Sequence, residues 1–267
     1  MTLMMGAHEG REFISFDVPG AFLQAELPND KLVLLKFRGE KMVDLMCEAD
    51  PGNRKNVRYE GNTKVLYLKV VRAIYGCIES ALQWYKLFTG TLEGMGFKLN
   101  AYDKCIANKI INGKQCTIVW HVDDCIASHM EPKVLETISA KLISEFGETE
   151  INRGRKHSFL GMDITINEDK TISIDMRKQI REVIATFEAY DGILDDTVTT
   201  PGAAHLFKVN PNAQQLDEKQ SNIFHSLTAT LLYLMQRARP DIEPEVAFLR
   251  GEFRRAILMI GRSCVER

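Results

Sequence analysis

Apolar and polar positions along the chain change period several times, and each change marks an element. Residues 11–18 (REFISFDV) read as a strand with Phe13, Ser15 and Asp17 on one side of the pleat. Pro19-Gly20 breaks it, and Ala21 to Leu27 suit a short helix. Leu32–Phe37 and Val65–Val71 are further strands, separated by a polar loop that contains Asp50-Pro51-Gly52-Asn53. Over 78–95 the residues Ile78, Ala81, Leu82, Tyr85, Leu92 and Met95 recur at helical spacing, with Gly94 and Gly96 as the stop.

The clearest signal follows. Gln115–Val122 and Cys125–Ser128 are β-prone runs joined through Asp123-Asp124, the pattern of a hairpin. A helix over Pro132–Phe146 turns Leu135, Ile138, Leu142 and Phe146 inward, and Gly147 ends it. Ser158–Ile166 and Thr171–Asp175 form a strand pair turning at Asn167-Glu168-Asp169, and a helix starts at Arg177. Residues 191–222 are loop-rich, and a last apolar helix covers Asn222–Arg237. This order predicts an α+β fold in which an antiparallel sheet carries helices on one face. A boundary is expected near 147–157, or after Tyr190.

Composition changes this picture little. With 45% apolar and 26% charged residues the chain is ordinary for a globular protein. No run approaches the ~20 apolar residues of a membrane span, and Met1–Arg11 has no signal-peptide pattern. A cytoplasmic or nuclear location and no membrane partner are the expectation. Cys47, Cys77, Cys105, Cys116, Cys125 and Cys264 lack zinc-site spacing, so buried free thiols are expected. A net charge of −2 does not mark a nucleic-acid binder. Between Lys31 and Arg72, however, Lys36, Arg38, Lys41, Arg54, Lys55, Arg58, Lys64 and Lys69 outnumber the acids, which suits either phosphate contact or a solvated face.

The candidate chemistry lies in three carboxylates. Adjacent aspartates at a tight turn repel each other, and with partial burial a carboxyl pKa rises. A divalent cation removes the conflict, and magnesium suits carboxylate and phosphate oxygens. Asp17, at the end of an apolar strand, is the best third ligand. Two ions about 4 Å apart in such a site activate a hydroxyl and stabilise a leaving group. The alternatives are plain turn chemistry for Asp123-Asp124 and a helix cap for Asp17. Asp195-Asp196, without flanking strands, reads as a solvated loop.

The wording of five segments goes further. Phe16–Leu27 (FDVPGAFLQAEL) resembles the first catalytic motif of reverse transcriptases from copia-type long-terminal-repeat retrotransposons. Arg72–Tyr85 (RAIYGCIESALQWY), Trp120–Asp124 (WHVDD), Phe159–Ile164 (FLGMDI) and Tyr233–Ile242 (YLMQRARPDI) follow in that family's order. The resemblance implies a right-hand polymerase: a palm with partial fingers over 1–146, the rest of the palm, a primer-grip hairpin and a thumb-like region over 147–250, and a divergent tail over 251–267. It implies DNA synthesis on an RNA or DNA template with a primer, from deoxynucleoside triphosphates, with two magnesium ions (or manganese in their place).

By that resemblance Asp17, Asp123 and Asp124 are the catalytic carboxylates, and Val18 offers a backbone carbonyl to a metal. Phe22 matches the aromatic position that excludes a ribose 2′-hydroxyl, with an ordinary core phenylalanine as the alternative. Tyr75-Gly76 matches the turn beside the template and incoming nucleotide, and Trp84 and Tyr85 are expected in the core. His121 takes a position usually held by Tyr at the primer, and Phe159-Leu160-Gly161 matches the hairpin that grips the primer's end.

Cys77-Ile78-Glu79 departs from the family's usual Leu-Lys-Gln. The basic stretch that normally precedes the first motif has no counterpart in Met1–Glu12, and the pattern fades after Phe248. The chain therefore reads as a fragment of an element's polyprotein, whose other parts are expected partners. Two functions stay open: a polymerase, or an inactive relic that binds nucleic acid or a partner protein.

Overall fold

In the computed structural model, residues 1–28, 30, 32–191, 199–202, 206–208 and 216–251 are described. Asp195-Asp196, Cys264 and the tail beyond Gly251 lie outside them. The chain divides into two compact units. The first comprises Met1–Leu160 with Glu168–Thr171; the second comprises Gly161–Asn167 and the described residues from Ile172 onward.

The first unit runs α1 (Thr2–Glu9), β1 (Glu12–Asp17), α2 (Ala21–Gln24), β2 (Leu34–Arg38), α3 (Glu40–Ala49), β3 (Val57–Glu60), β4 (Thr63–Lys69), α4 (Ser80–Gly94), β5 (Lys98–Leu99), β6 (Ile106–Ile111), β7 (Lys114–His121), β8 (Asp124–His129), α5 (Pro132–Phe146), β9 (Ile151–Arg153) and β10 (Lys156–Phe159). Six strands make one antiparallel sheet in the order β5-β6-β7-β8-β1-β9. The division of the chain falls after the 147–157 segment because β9 returns to pair with β1, Ile14 opposite Arg153 and Phe16 opposite Ile151.

Phe13, Ile14, Ser15 and Phe16 are all buried, so β1 is covered on both faces. Ile14 and Phe16 meet the core under α4 and α5. On the other face, Phe13 packs so closely on α1 that a Cβ at Gly6 would lie 2.8 Å from its ring. Helices therefore lie on both faces, where the sequence suggested one.

An aromatic cluster centres the main core. The Phe88 ring lies 5.2 Å from Trp84, 5.2 Å from Trp120 and 5.7 Å from Phe146, centroid to centroid. It sets the rotation of α4, whose buried residues are Ser80, Trp84, Phe88, Thr89 and Leu92. The face expected from periodicity was different: Ile78 is 95% and Leu82 50% exposed. The aromatic contacts and the buried indole override the aliphatic spacing. α5 does turn Leu135, Ile138, Leu142 and Phe146 inward.

The interval read as a polar loop is a small subassembly. β2 and β3 flank β4, and α3 lays Val43 and Cys47 on Leu66, with Phe37, Met46, Val57 and Leu68 around them. With so few apolar residues among many charges, α3 left little periodic signal. The 3-10 turn that follows it, Pro51–Asn56, is capped at its start by Asp50, whose carboxylate accepts from the Gly52 N–H at 2.8 Å. α2 ends early, at Gln24, because the chain turns extended to meet residues 71–73: Leu27 N–H donates to Val71 O and Ala73 N–H to Ala25 O, each at 2.9 Å. Cys47, Cys116 and Cys125 are buried free thiols, while Cys77 and Cys105 are half-buried.

The second unit holds β11 (Met162–Ile166) and β12 (Ile172–Asp175), antiparallel with Ile164 opposite Ile174, then α6 (Arg177–Asp191), α7 (Glu218–Arg237) and α8 (Glu243–Gly251). The run expected as one strand, 158–166, is broken at Leu160-Gly161, where φ is +51° and +69°. A Cβ at Gly161 would lie 2.6 Å from the Tyr233 hydroxyl, so a side chain there would force that ring to move. α7 begins four residues before the expected Asn222 because Asp217 and Gln220 form a reciprocal capping box. Leu206 and Leu249 pack with Phe224 and Phe248. No described helix is long and apolar enough to cross a membrane.

Because Phe88 is fully buried among three aromatic rings, Phe88→Ala should lower the unfolding free energy by about 3–5 kcal/mol. Urea denaturation followed by tryptophan fluorescence measures the change.

Candidate active site

β7 and β8 pair up to His121 opposite Asp124, which leaves Val122-Asp123 as a two-residue loop. Val122 sits at φ +57°, a conformation that costs a β-branched residue about 1–3 kcal/mol. Two bonds hold the loop in that state. The buried Trp84 indole Nε1 donates to Val122 O at 2.7 Å. Val18 N–H donates to Asp123 O at 3.1 Å. The second bond fastens the turn to the residue that follows Asp17.

The strand register completes the arrangement. Asp17 is the direct cross-strand partner of Asp124, and opposed residues of an antiparallel pair project to the same side. That side carries Phe13 and Ser15, away from α4 and α5. β1 then ends at Pro19-Gly20, with Gly20 in the left-handed region at φ +56°. Leu160 N–H donates to Asp124 Oδ2 at 3.0 Å, fixing one oxygen of that carboxylate. The Thr149 hydroxyl donates to the Asp17 carbonyl.

Electrostatics mark the same three residues. Burial, then the charges of Asp123 and Asp124, raise the Asp17 carboxyl above its ordinary 3.8. The neighbouring Cys125 thiol is pushed well up, by burial first and by the three aspartates second, so it stays protonated. Among the described residues no group of three His, Cys, Asp or Glu side chains converges into a formed metal cluster. The donors are nonetheless all carboxylate oxygens, the chemistry of a hard divalent cation.

The other residues singled out by sequence fall into separate places. Phe22 is half-buried against the main core, its ring 4.8 Å from that of Tyr75, which is 60% exposed. Tyr75 and Gly76 occupy the centre of a turn closed by Cys77 N–H donating to Ile74 O at 3.3 Å; Gly76 has φ +90°, the third-position geometry that favours glycine. The Val18 side chain is in the core, 2% exposed, and His121 is exposed at the end of β7. Phe159 is buried at 6% exposure, so its ring packs inside the protein. Gly161 belongs to the second unit, where its carbonyl accepts from Gln179 Nε2.

Sequence reasoning missed a polar inlay one side-chain pair behind Asp17. The Ser15 hydroxyl and His157 Nδ1 lie 2.9 Å apart, and His157 Nε2 is 2.9 Å from Gly154 O. A carbonyl can only accept, so Nε2 carries the proton, and Ser15 donates to Nδ1. Both residues are buried. A serine inside an otherwise apolar strand was the available signal; its partner, 142 positions away, was not legible.

No family model matches the chain. Solved structures similar to it include apo telomerase from Candida Tropicalis, at 12% identity and TM-score 0.40 over 98% of this chain and 46% of that one. The same enzyme truncated from its C-terminal domain matches at 12% identity and TM-score 0.35 over 65% and 38%. Telomerase from Candida albicans, in complex with a TWJ fragment of telomeric RNA, matches at 9% and 0.33 over 92% and 44%. The chain spans less than half the length of these proteins. Likeness at such TM-scores carries no argument about activity.

Two outcomes are expected. A raised folded-state pKa stabilises the fold only at low pH, and that contribution is lost as pH rises through the folded pKa; at pH 7 the ionised Asp17 is thus a liability. Asp17→Asn should raise the melting temperature at pH 7 in EDTA, and the gain should vanish below about pH 4. For His157, burial lowers the pKa from 6.5. Its neutral form is the stabilising one above pH 6.5, and stability falls as pH drops below that value through the folded pKa. Urea midpoints measured from pH 7.5 down to about 5 should fall more steeply for the native protein than for His157→Gln.

Proposed function

We propose that the chain is an RNA-directed DNA polymerase domain of the copia-type retrotransposon kind, and that its antiparallel sheet serves as the palm. The observation that carries this reading is the register that sets Asp17 opposite Asp124, with Asp123 in the adjoining turn bonded to Val18. The five ordered motifs support it independently, since they span both units.

On this reading Asp17, Asp123 and Asp124 hold magnesium, with the Val18 carbonyl as a further oxygen donor. The fit rests on the donor set: three like charges, one with its pKa raised by burial first and by the other two second, are relieved by a divalent cation. When bound, a pair of such ions supplies activation of a primer 3′-hydroxyl and neutralisation of the leaving pyrophosphate. Manganese has the same oxygen preference.

The remaining residues position substrates. Phe22, held by Tyr75 and the core, presents a flat ring that excludes a 2′-hydroxyl and selects deoxynucleoside triphosphates. The Tyr75-Gly76 turn leaves backbone open beside it, with no heavy atom within 4 Å of where a Gly76 Cβ would stand, which suits a template base or incoming nucleotide. On this reading His121, exposed next to the aspartates, and the Leu160 backbone, bonded to Asp124, meet the primer's end.

Primer extension tests the assignment. With an RNA template, a DNA primer, deoxynucleoside triphosphates and magnesium, the native chain should incorporate, and Asp123→Asn should fall by roughly 10²–10³-fold, the usual cost of losing a charge-stabilising group. Equal incorporation by both proteins would overturn the carboxylate assignment. Salt-sensitive primer–template binding with no incorporation by the native chain would leave a nucleic-acid-binding relic instead.

A further inference from the structure

The sheet has a second feature at its other end. Ile111 pairs with Lys114, seven positions along β7 from His121, or roughly 23 Å at the rise of a strand. There α5, β6 and the segment after α4 line a half-open pocket of about 440 Å³. Phe97, Ile111, Val134 and Ile138 form its apolar floor, and Lys109, Lys133 and Lys141 reach it from the rim. A volume of this size suits a small molecule.

Among the described residues no ion pair neutralises these lysines. Lys109 Nζ donates to Met95 O at 2.7 Å and lies 6.0 Å from the Phe97 ring centroid. An ammonium has three donors, so two remain after the carbonyl. Lys133 and Lys141 stand eight residues apart on one face of α5, about 12 Å along its axis. Neither has a carboxylate within 4.0 Å among the described residues. Glu131 is the one acid among the described lining residues, and it already accepts from Asn112 Nδ2 at 2.9 Å. That bond pins the start of α5 to the β6–β7 turn, so the offset to positive charge falls at the Lys133 end and leaves Lys141 and Lys109 in excess.

We propose that this cavity binds a small amphiphilic carboxylate, its apolar body on Phe97, Ile111, Val134 and Ile138 and its carboxylate among Lys109 and Lys141. The site is independent of the polymerase reading and lies at the opposite end of the sheet from the aspartates.

Calorimetric titration of the full chain with decanoate, below its micelle concentration, tests this. Decanoate should bind with one site, and decanol, equal in length but uncharged, at least about tenfold more weakly. Lys141→Gln should weaken decanoate roughly tenfold while leaving decanol unchanged. Thr137→Trp, an exposed position on the lining, should block both; if that variant misfolds by circular dichroism, the Lys141→Gln comparison decides. No binding of decanoate by the native chain, equal affinity for decanol, or an unchanged Lys141→Gln affinity would overturn the proposal. Cosedimentation with phosphatidylglycerol vesicles stronger than the decanoate affinity would also overturn it, in favour of a membrane surface.

Discussion

A hydrogen bond from the packed core holds the turn that carries Asp123: the buried Trp84 indole donates to the carbonyl of Val122. Trp84 is held by Phe88 at 5.2 Å and Phe146 at 5.3 Å, so its nitrogen has little freedom. A valine with positive φ would relax unless the surroundings over-determined it. Here the indole takes one carbonyl of the loop and Val18 the other. The aspartates inherit the rigidity of the aromatic cluster rather than the mobility of a surface turn.

That rigidity has an electrostatic cost. Burial first, and the like charges of the neighbouring aspartates second, raise the Asp17 pKa and push up the Cys125 thiol behind it. A fold selected for stability alone would not put like charges on directly opposed positions, where they are destabilising. Such conflicts between local rules and observed structure cluster at functional sites. The small inlay of Ser15 and His157 follows a different logic: each buried polar atom has a partner, so it adds cohesion without charge.

Much of this was legible in the sequence because its signals were local. The hairpin through Asp123-Asp124 and the inward face of α5 follow from runs of β-prone residues and from aliphatic spacing. The rotation of α4 did not, because Trp84 and Phe88 outweigh Ile78 and Leu82 through contacts with Trp120 and Phe146, which lie far along the chain. α3 was hidden by its charges, with only Val43 and Cys47 buried. The strand break at Leu160 was hidden in the opposite way: an apolar residue at φ +51° leaves no trace in a hydropathy pattern. Within the site, residue types announced the aspartates, but Leu160 N–H and the His157–Ser15 pair act through backbone position and long-range contact.

Register is the last link between fold and site. A slip of one residue in β1 would send Asp17 to the α4–α5 side and Phe16 toward the aspartates. β1 is guarded against this on both edges, by six matched positions along β8 and three along β9. Burial on both faces adds to it: Phe13 against α1, Ser15 against His157, Ile14 and Phe16 in the main core. An interior strand with one face wet could tolerate alternatives; this one is buried over Phe13–Phe16 and paired on both edges over Ile14–Phe16, which disfavours a shifted pairing. The placement of Asp17 opposite Asp124 is therefore enforced by residues that carry no chemistry themselves.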